Sequence, residues 1–108
     1  MKNYKVIFTA RAERQLSGLY AYIAEKSGEA RAEKYVGGII AGCKALSIFP
    51  EHGTKRDDIR KNLRIKGYAR SAVVAFSVDA ATLTVAIHGV FYGGQNFEHI
   101  LLETENDH

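Results

Sequence analysis

The sequence has no tryptophan, and cysteine, proline and methionine each occur once in its 108 residues. A lone Cys43 cannot close an internal disulfide, so a cystine-stapled scaffold is excluded and a reducing compartment, the cytoplasm, is expected. One proline and no periodic glycine exclude collagen and low-complexity chains. No apolar run approaches the roughly 18 residues of a membrane span, and no membrane association is expected. After Met1-Lys2-Asn3-Tyr4 there is no apolar block with a small-residue cleavage site, so no signal peptide is expected. His52, His88, His99 and His108 lack ligand-like spacing, and Gly37-Gly38 lacks the preceding strand and following Lys-Ser of a phosphate loop. No metal or cofactor is expected.

What is present fits a globular protein. Hydrophobic residues make up 46% and charged residues 25%, and the length suits one domain over residues 1–108. The formal net charge of +3 is unevenly spread. Lys55, Arg56, Arg60, Lys61, Arg64, Lys66 and Arg70 face only Asp57 and Asp58 within one segment. That segment carries +5 and the remainder −2. Such an excess describes a face, either a solvated strand edge blunted by cations or a surface for a polyanion or acidic partner.

Alternation in Tyr4-Lys5-Val6-Ile7-Phe8 predicts a strand with Tyr4, Val6 and Phe8 on one side. Thr9 then stands where an N-cap belongs. Ala12, Leu16, Leu19, Tyr20 and Ile23 form a helical stripe from Ala10 to about Lys26, which Gly28 ends. A second stripe, Ala32, Tyr35, Val36, Ile39, Ile40, Cys43 and Leu46, predicts a helix over 29–48, folded back as an antiparallel hairpin. Gly38 and Gly42 inside it leave room for a close neighbour, either the first helix or a partner chain, the first being favoured. Residues 51–62 read as a loop. Three strands follow, over 63–66, 70–78 and 83–92, and a short helix over 95–103. The order β-α-α-β-β-β-α predicts an α+β domain: an N-terminal strand, a helical hairpin, a three-strand antiparallel meander and a short C-terminal helix. The hairpin covers one sheet face; the other is expected to carry the basic residues. Within the last strand, Leu83, Val85, Ile87, Gly89 and Phe91 are expected to share a face.

Few residues offer chemistry. Cys43 on an apolar stripe reads as a buried thiol. His88 reads as an acid–base group or as a partly buried histidine. A metal-free nuclease needs a base, an acid and cations around phosphate, and the strands carrying Arg64, Arg70, His88 and Tyr92 could bring them together, a possibility to be weighed.

Tyr4-x-Val6-x-Phe8-Thr9-x-x-Ala12, Tyr22-Ile23-Ala24, Phe49-Pro50-x-x-Gly53, Leu63-Arg64, Arg70 and His88-Gly89-Val90-Phe91-Tyr92-Gly93-Gly94-Gln95-x-x-Glu98 together resemble the ParE branch of the ParE/RelE toxin superfamily. The resemblance runs from Tyr4 to about Leu102. It implies the toxin of a bacterial type II toxin–antitoxin pair, one that binds DNA gyrase, traps its cleaved complex with DNA and is silenced by a ParD-like antitoxin. Contact with DNA would then be indirect, through antitoxin or gyrase. The RelE branch, which cuts mRNA on the ribosome, is the alternative, and a degenerate member that only binds antitoxin is a third. Against RelE chemistry, Phe97 stands where many RelE members have tyrosine, and Gly93-Gly94 replaces an arginine-rich run. A phenylalanine exchanges no proton and a glycine pair neutralises no phosphate. No catalytic residue is therefore assigned. Arg56, Arg60, Arg64, Lys66, Arg70 and Tyr92 are the candidates for antitoxin or target binding.

Overall fold

The structure, a computed structural model, describes residues 3–68 and 71–103. Strand β1 (Lys5–Phe8) leads into helix α1 (Ala10–Ser27) through Thr9, whose hydroxyl accepts from the Ala12 N–H at 3.2 Å. That capping bond satisfies one of the first-turn donors left free at a helix start. Gly28, at φ +97°, closes α1 and begins helix α2 (Glu29–Ala45). Strands β2 (Thr54–Lys55), β3 (Leu63–Tyr68), β4 (Ala72–Asp79) and β5 (Thr84–Tyr92) follow, then helix α3 (Phe97–Glu103).

The five strands form one sheet in the order β1-β5-β4-β3-β2. The meander β3-β4-β5 is antiparallel, as expected, and β1 joins parallel to β5 with Val6 beside Val85. Strand β2 lies within the segment expected to be a loop; its two residues pair with Ile65 and Arg64. Helix α2 stops short of the expected 48, and the following turn donates Leu46 N–H to Cys43 O. Helix α3 starts at Phe97 rather than 95, because Asn96 Oδ1 accepts from His99 N–H and caps it. The β4–β5 turn lacks a glycine; instead Asp79 Oδ1 accepts from the Ala81 and Thr82 N–H groups at 2.9 and 3.2 Å. Leu83 takes φ +52° and falls outside the strand.

Two cores flank the sheet. On one face, Ala12, Leu16, Leu19 and Ile23 of α1 and Ala32, Val36, Ile39 and Cys43 of α2 pack on Val74, Phe76, Val85, Ile87 and Val90. On the other, Ile59, Leu63, Ala75, Phe91 and Leu101 form a second cluster beneath α3. The far face is therefore apolar rather than basic. Phe91 is 1% exposed there, so its truncation to alanine would remove about 3–5 kcal/mol, as for any core aromatic. Leu63 and Ile65 do point inward, but toward this second core. Arg64 and Lys66 lie on the hairpin side, opposite Phe76 and Val74 in register.

A β-bulge explains the second departure. Ala75 pairs with Gly89 but Phe76 pairs with Ile87, which leaves His88 as an extra residue. Beyond the bulge the alternation inverts, so Val90 and Tyr92 join the hairpin core and Phe91 joins the α3 core. Gln15 of α1 secures the distorted strand by accepting from Val90 N–H at 2.7 Å.

Candidate functional site

The basic strip is not one surface. Arg56 forks onto Asp58 through Nε and Nη2, at 2.9 and 2.8 Å, and Nη2 also pairs with Glu98 of α3. This two-carboxylate arrangement raises the Arg56 pKa, mainly through the Asp58 and Glu98 hydrogen bonds, and lowers that of Asp58. Its charge is spent within the protein, tying the 54–63 segment to α3. Arg60 sits where its charge acts on His88 of β5. Arg70 lies outside the described residues.

Arg64 and Lys66 converge on His52, in the turn after α2. Arg64 Nη1 donates to the His52 carbonyl at 3.2 Å, and Lys66 Nζ lies 3.4 Å from His52 Nδ1. Lys66 also sits 5.6 Å above the Tyr68 ring centroid, within cation–π range. The turn holding His52 depends on Gly53, whose φ is +74° and whose absent Cβ would strike the Ile65 carbonyl. Only glycine meets both demands. Pro50 keeps Phe49 out of the helical conformation, beyond the turn that follows α2. Phe49 of the same motif has no comparable task. It is 64% exposed and tilted against the His52 ring at 6.4 Å.

Tyr92, carried across by the bulge, stands edge-on between Tyr22 of α1 and Tyr35 of α2, with ring centroids 6.1 and 6.0 Å away. Tyr22 and Tyr92 separate a cleft of about 420 Å³, which includes Gln15 and Gly93, from one of about 340 Å³ that includes Arg31 and Ser71. The Tyr35 hydroxyl is buried without a hydrogen-bond partner among the described residues, and burial raises its pKa, with Tyr92 adding to the shift. Gln95 fixes the strand end by accepting from Tyr92 N–H at 3.0 Å, after a turn in which Gly93 and Gly94 take φ of +69° and +80°.

Two further groups with acid–base potential, His88 and Cys43, are otherwise engaged. His88 Nε2 lies 2.8 Å from Ser77 Oγ, and burial, aided by the charges of Arg60 and Arg11, pushes its pKa down to about 4. Burial pushes the Cys43 thiol up to about 11, against a smaller opposing pull from Lys66. A thiol so raised is no nucleophile at neutral pH. Phe97 packs on Phe91 at 6.1 Å in the second core. No three His, Cys, Asp or Glu side chains gather as a metal site among the described residues, nor is any helix there long and apolar enough to cross a membrane.

Residues 6–97 match the family described as ParE toxin of type II toxin-antitoxin system, parDE. The chain belongs to the ParE toxin family. Among solved structures, the ParE-family fold seen here is similar to the chromosomal ParDE system of P. aeruginosa, with a TM-score of 0.70 and 20% identity over 82% of this chain and 95% of that one. It is also similar to the toxin–antitoxin complex RelBE2 of Mycobacterium tuberculosis, with a TM-score of 0.61 and 20% identity over 88% and 97% of the two chains. No curated protein sequence matches it.

Residue patterns conceal parts of this ParE-family site. His52 reads as an isolated loop histidine, and its role depends on β3 crossing beside it. Tyr22 reads as part of a helix without a partner, and only the bulge at His88 delivers Tyr92 to it. The Phe49-Pro50-x-x-Gly53 motif is the available signal for the turn, and Gly53 is its structurally demanding member.

Proposed function

We propose that this ParE-family toxin stops growth by binding DNA gyrase and trapping its cleaved complex with DNA, without catalysing a reaction itself. The observation that carries this reading is the state of His88, the histidine on the sheet. It is half-buried with its pKa pushed down, its Nε2 lies 2.8 Å from Ser77 Oγ, and it stands on the sheet face opposite that of Arg64 and Lys66. A ribonuclease needs a proton acceptor and donor beside its phosphate-binding cations; beside Arg64 and Lys66 stands His52, its Nδ1 already engaged 3.4 Å from Lys66 Nζ. At the position many RelE members fill with tyrosine, Phe97 is packed into the core.

A ParD-like antitoxin is the partner this reading requires, and the ParDE neighbour supports it. Arg60, Arg64, Lys66, Arg70 and Tyr92 remain the proposed contacts for antitoxin or gyrase. Arg56 would contribute there through the position of α3, given its pairing with Glu98. The site of action is the cytoplasm, where gyrase works. The domain acts as one unit over the whole chain.

The second reading, ribosome-dependent mRNA cleavage, is favoured by the cations Arg64 and Lys66, which have no carboxylate partner among the described residues, unlike Arg56. Supercoiling of relaxed plasmid by gyrase tests the first reading. Purified toxin at stoichiometric amounts should halt it, and pre-mixed antitoxin should restore it. Undiminished supercoiling would contradict the proposal.

A further inference from the structure

Phe49 is the conspicuous residue that the fold does not use. Its motif partners serve the turn, whereas its ring is 64% exposed beside Ile48, itself 48% exposed. Exposed aromatic surface costs solvation and marks contact sites when charged residues surround it. Here they do. Arg64 and Lys66 reach His52, against which Phe49 leans. Lys55 is the register partner of Arg64 across β2 and β3, so two like charges stand directly opposite. Such a pair destabilises a sheet unless an anion lies between or above it. Neither Lys55, Arg64 nor Lys66 has a carboxylate partner among the described residues.

The geometry points to a single-stranded DNA segment as the occupant of this surface: a base stacks on Phe49 while Lys55, Arg64 and Lys66 take consecutive phosphates. Arg64 and Lys66 are two strand residues apart, about 6.6–6.8 Å along β3, a step comparable to that between phosphates of a stretched strand. Rings and cations in one row are how proteins hold single strands without reading sequence. An acidic peptide fits less well. The outer edge of β3 at Arg64 and Ile65 is already paired by β2, which blocks strand addition there, and Phe49 would be left without a matching face. The inference rests on the gyrase reading for its biological setting: the toxin would touch the DNA exposed in the cleaved complex, in place of the purely indirect contact expected from the family resemblance.

The test is fluorescence anisotropy of a labelled mixed-sequence single-stranded DNA 20-mer with the purified full chain, across a salt series. Binding is expected, with Phe49→Ala weakening it about 5- to 150-fold and Phe49→Trp retaining it. Each of Lys55→Gln, Arg64→Gln and Lys66→Gln should reduce the salt slope by about 0.7. Arg56→Gln should leave the slope unchanged. Circular dichroism melts confirm that the variants fold, which the exposure of Phe49 favours. No binding at low salt, or binding indifferent to Phe49 and the three cations, would overturn the inference. So would a preference for RNA of the same sequence, or poly-glutamate captured with the same dependence on Phe49. Gyrase inhibition measured on the same preparation separates the two ideas: inhibition without oligonucleotide binding removes the DNA contact and leaves the gyrase reading standing.

Discussion

Arg56 and Glu98 pair across 42 residues of sequence, and this contact joins the segment before β3 to the C-terminal helix. The acid that closes the Phe91-Tyr92-Gly93-Gly94-Gln95-x-x-Glu98 pattern thereby has a structural task. Glu98→Gln should release α3, with faster amide exchange confined to residues 97–103. Arg56→Glu should do the same. Combining Arg56→Glu with Glu98→Arg should recover protection if the pair acts through charge. Uniform exchange in all three variants would show that apolar packing alone holds the helix.

Glycines in this chain are not equivalent. Gly53 combines a φ of +74° with a backbone carbonyl where its Cβ would be, so Gly53→Ala should destabilise by about 1–3 kcal/mol. That corresponds to a Tm loss of roughly 4–8 °C per kcal/mol in a domain of this size. Gly37, in the body of α2, has nothing within 4 Å of the place a Cβ would take, and Gly37→Ala should raise stability by up to about 1 kcal/mol. Thermal melts check both. Equal shifts of one sign would contradict the assignment.

The half-buried His88 makes stability depend on pH. Its pKa falls from about 6.5 in the unfolded chain to about 4 in the fold, so the unfolded state binds the proton more readily between those values. Folding stability should therefore drop as pH falls from 6.5 toward 4, by about 1–3 kcal/mol after allowing for residual solvent access. Carboxylates add their own losses below pH 5, so the readout is the difference from His88→Gln, which keeps a polar partner for Ser77 and does not titrate. A difference that stays constant with pH would disprove the lowered His88 pKa.

Tyr92 tests the consequence of the bulge. Tyr92→Ala should open the wall between the two clefts and cost about 1–3 kcal/mol through lost packing on Tyr22 and Tyr35. Tyr35→Phe removes a buried hydroxyl that has no partner among the described residues, and should be neutral or stabilising. Urea denaturation compares the two. A larger loss for Tyr35→Phe than for Tyr92→Ala would overturn this account of the cluster.

Local signals reach a good part of this architecture. The Thr9 cap, both stripes of the helical hairpin and the meander are short-range patterns, and each has its counterpart in the fold. Interruptions of periodicity are not legible. His88 sits in an unbroken alternating run, so nothing nearby announces that the strand inverts there, and simple alternation puts Tyr92 on the wrong side of the sheet as a result. Leu63 and Ile65 are legible as apolar and inward, yet alternation carries no information about which of two layers receives them; α3 decides that. Gly42 does leave room for a neighbour, but it is the Tyr68 ring from β3 and not the first helix, and the place of a Gly38 Cβ is open space. Arg56 counts as one more surface cation in the sequence because its second carboxylate, Glu98, is remote along the chain. Charge counting finds a basic segment, and only the fold distinguishes its neutralised cation from Arg64 and Lys66.

The measurement that bears most directly on function is a paired assay on one purified preparation: accumulation of cleaved plasmid DNA with gyrase, and cleavage of a defined mRNA on translating ribosomes. Cleaved, protein-linked DNA should accumulate in proportion to added toxin, be suppressed by antitoxin and survive His88→Gln, while the mRNA stays intact. Intact plasmid together with site-specific mRNA cleavage that His88→Gln abolishes would contradict the gyrase-poison reading.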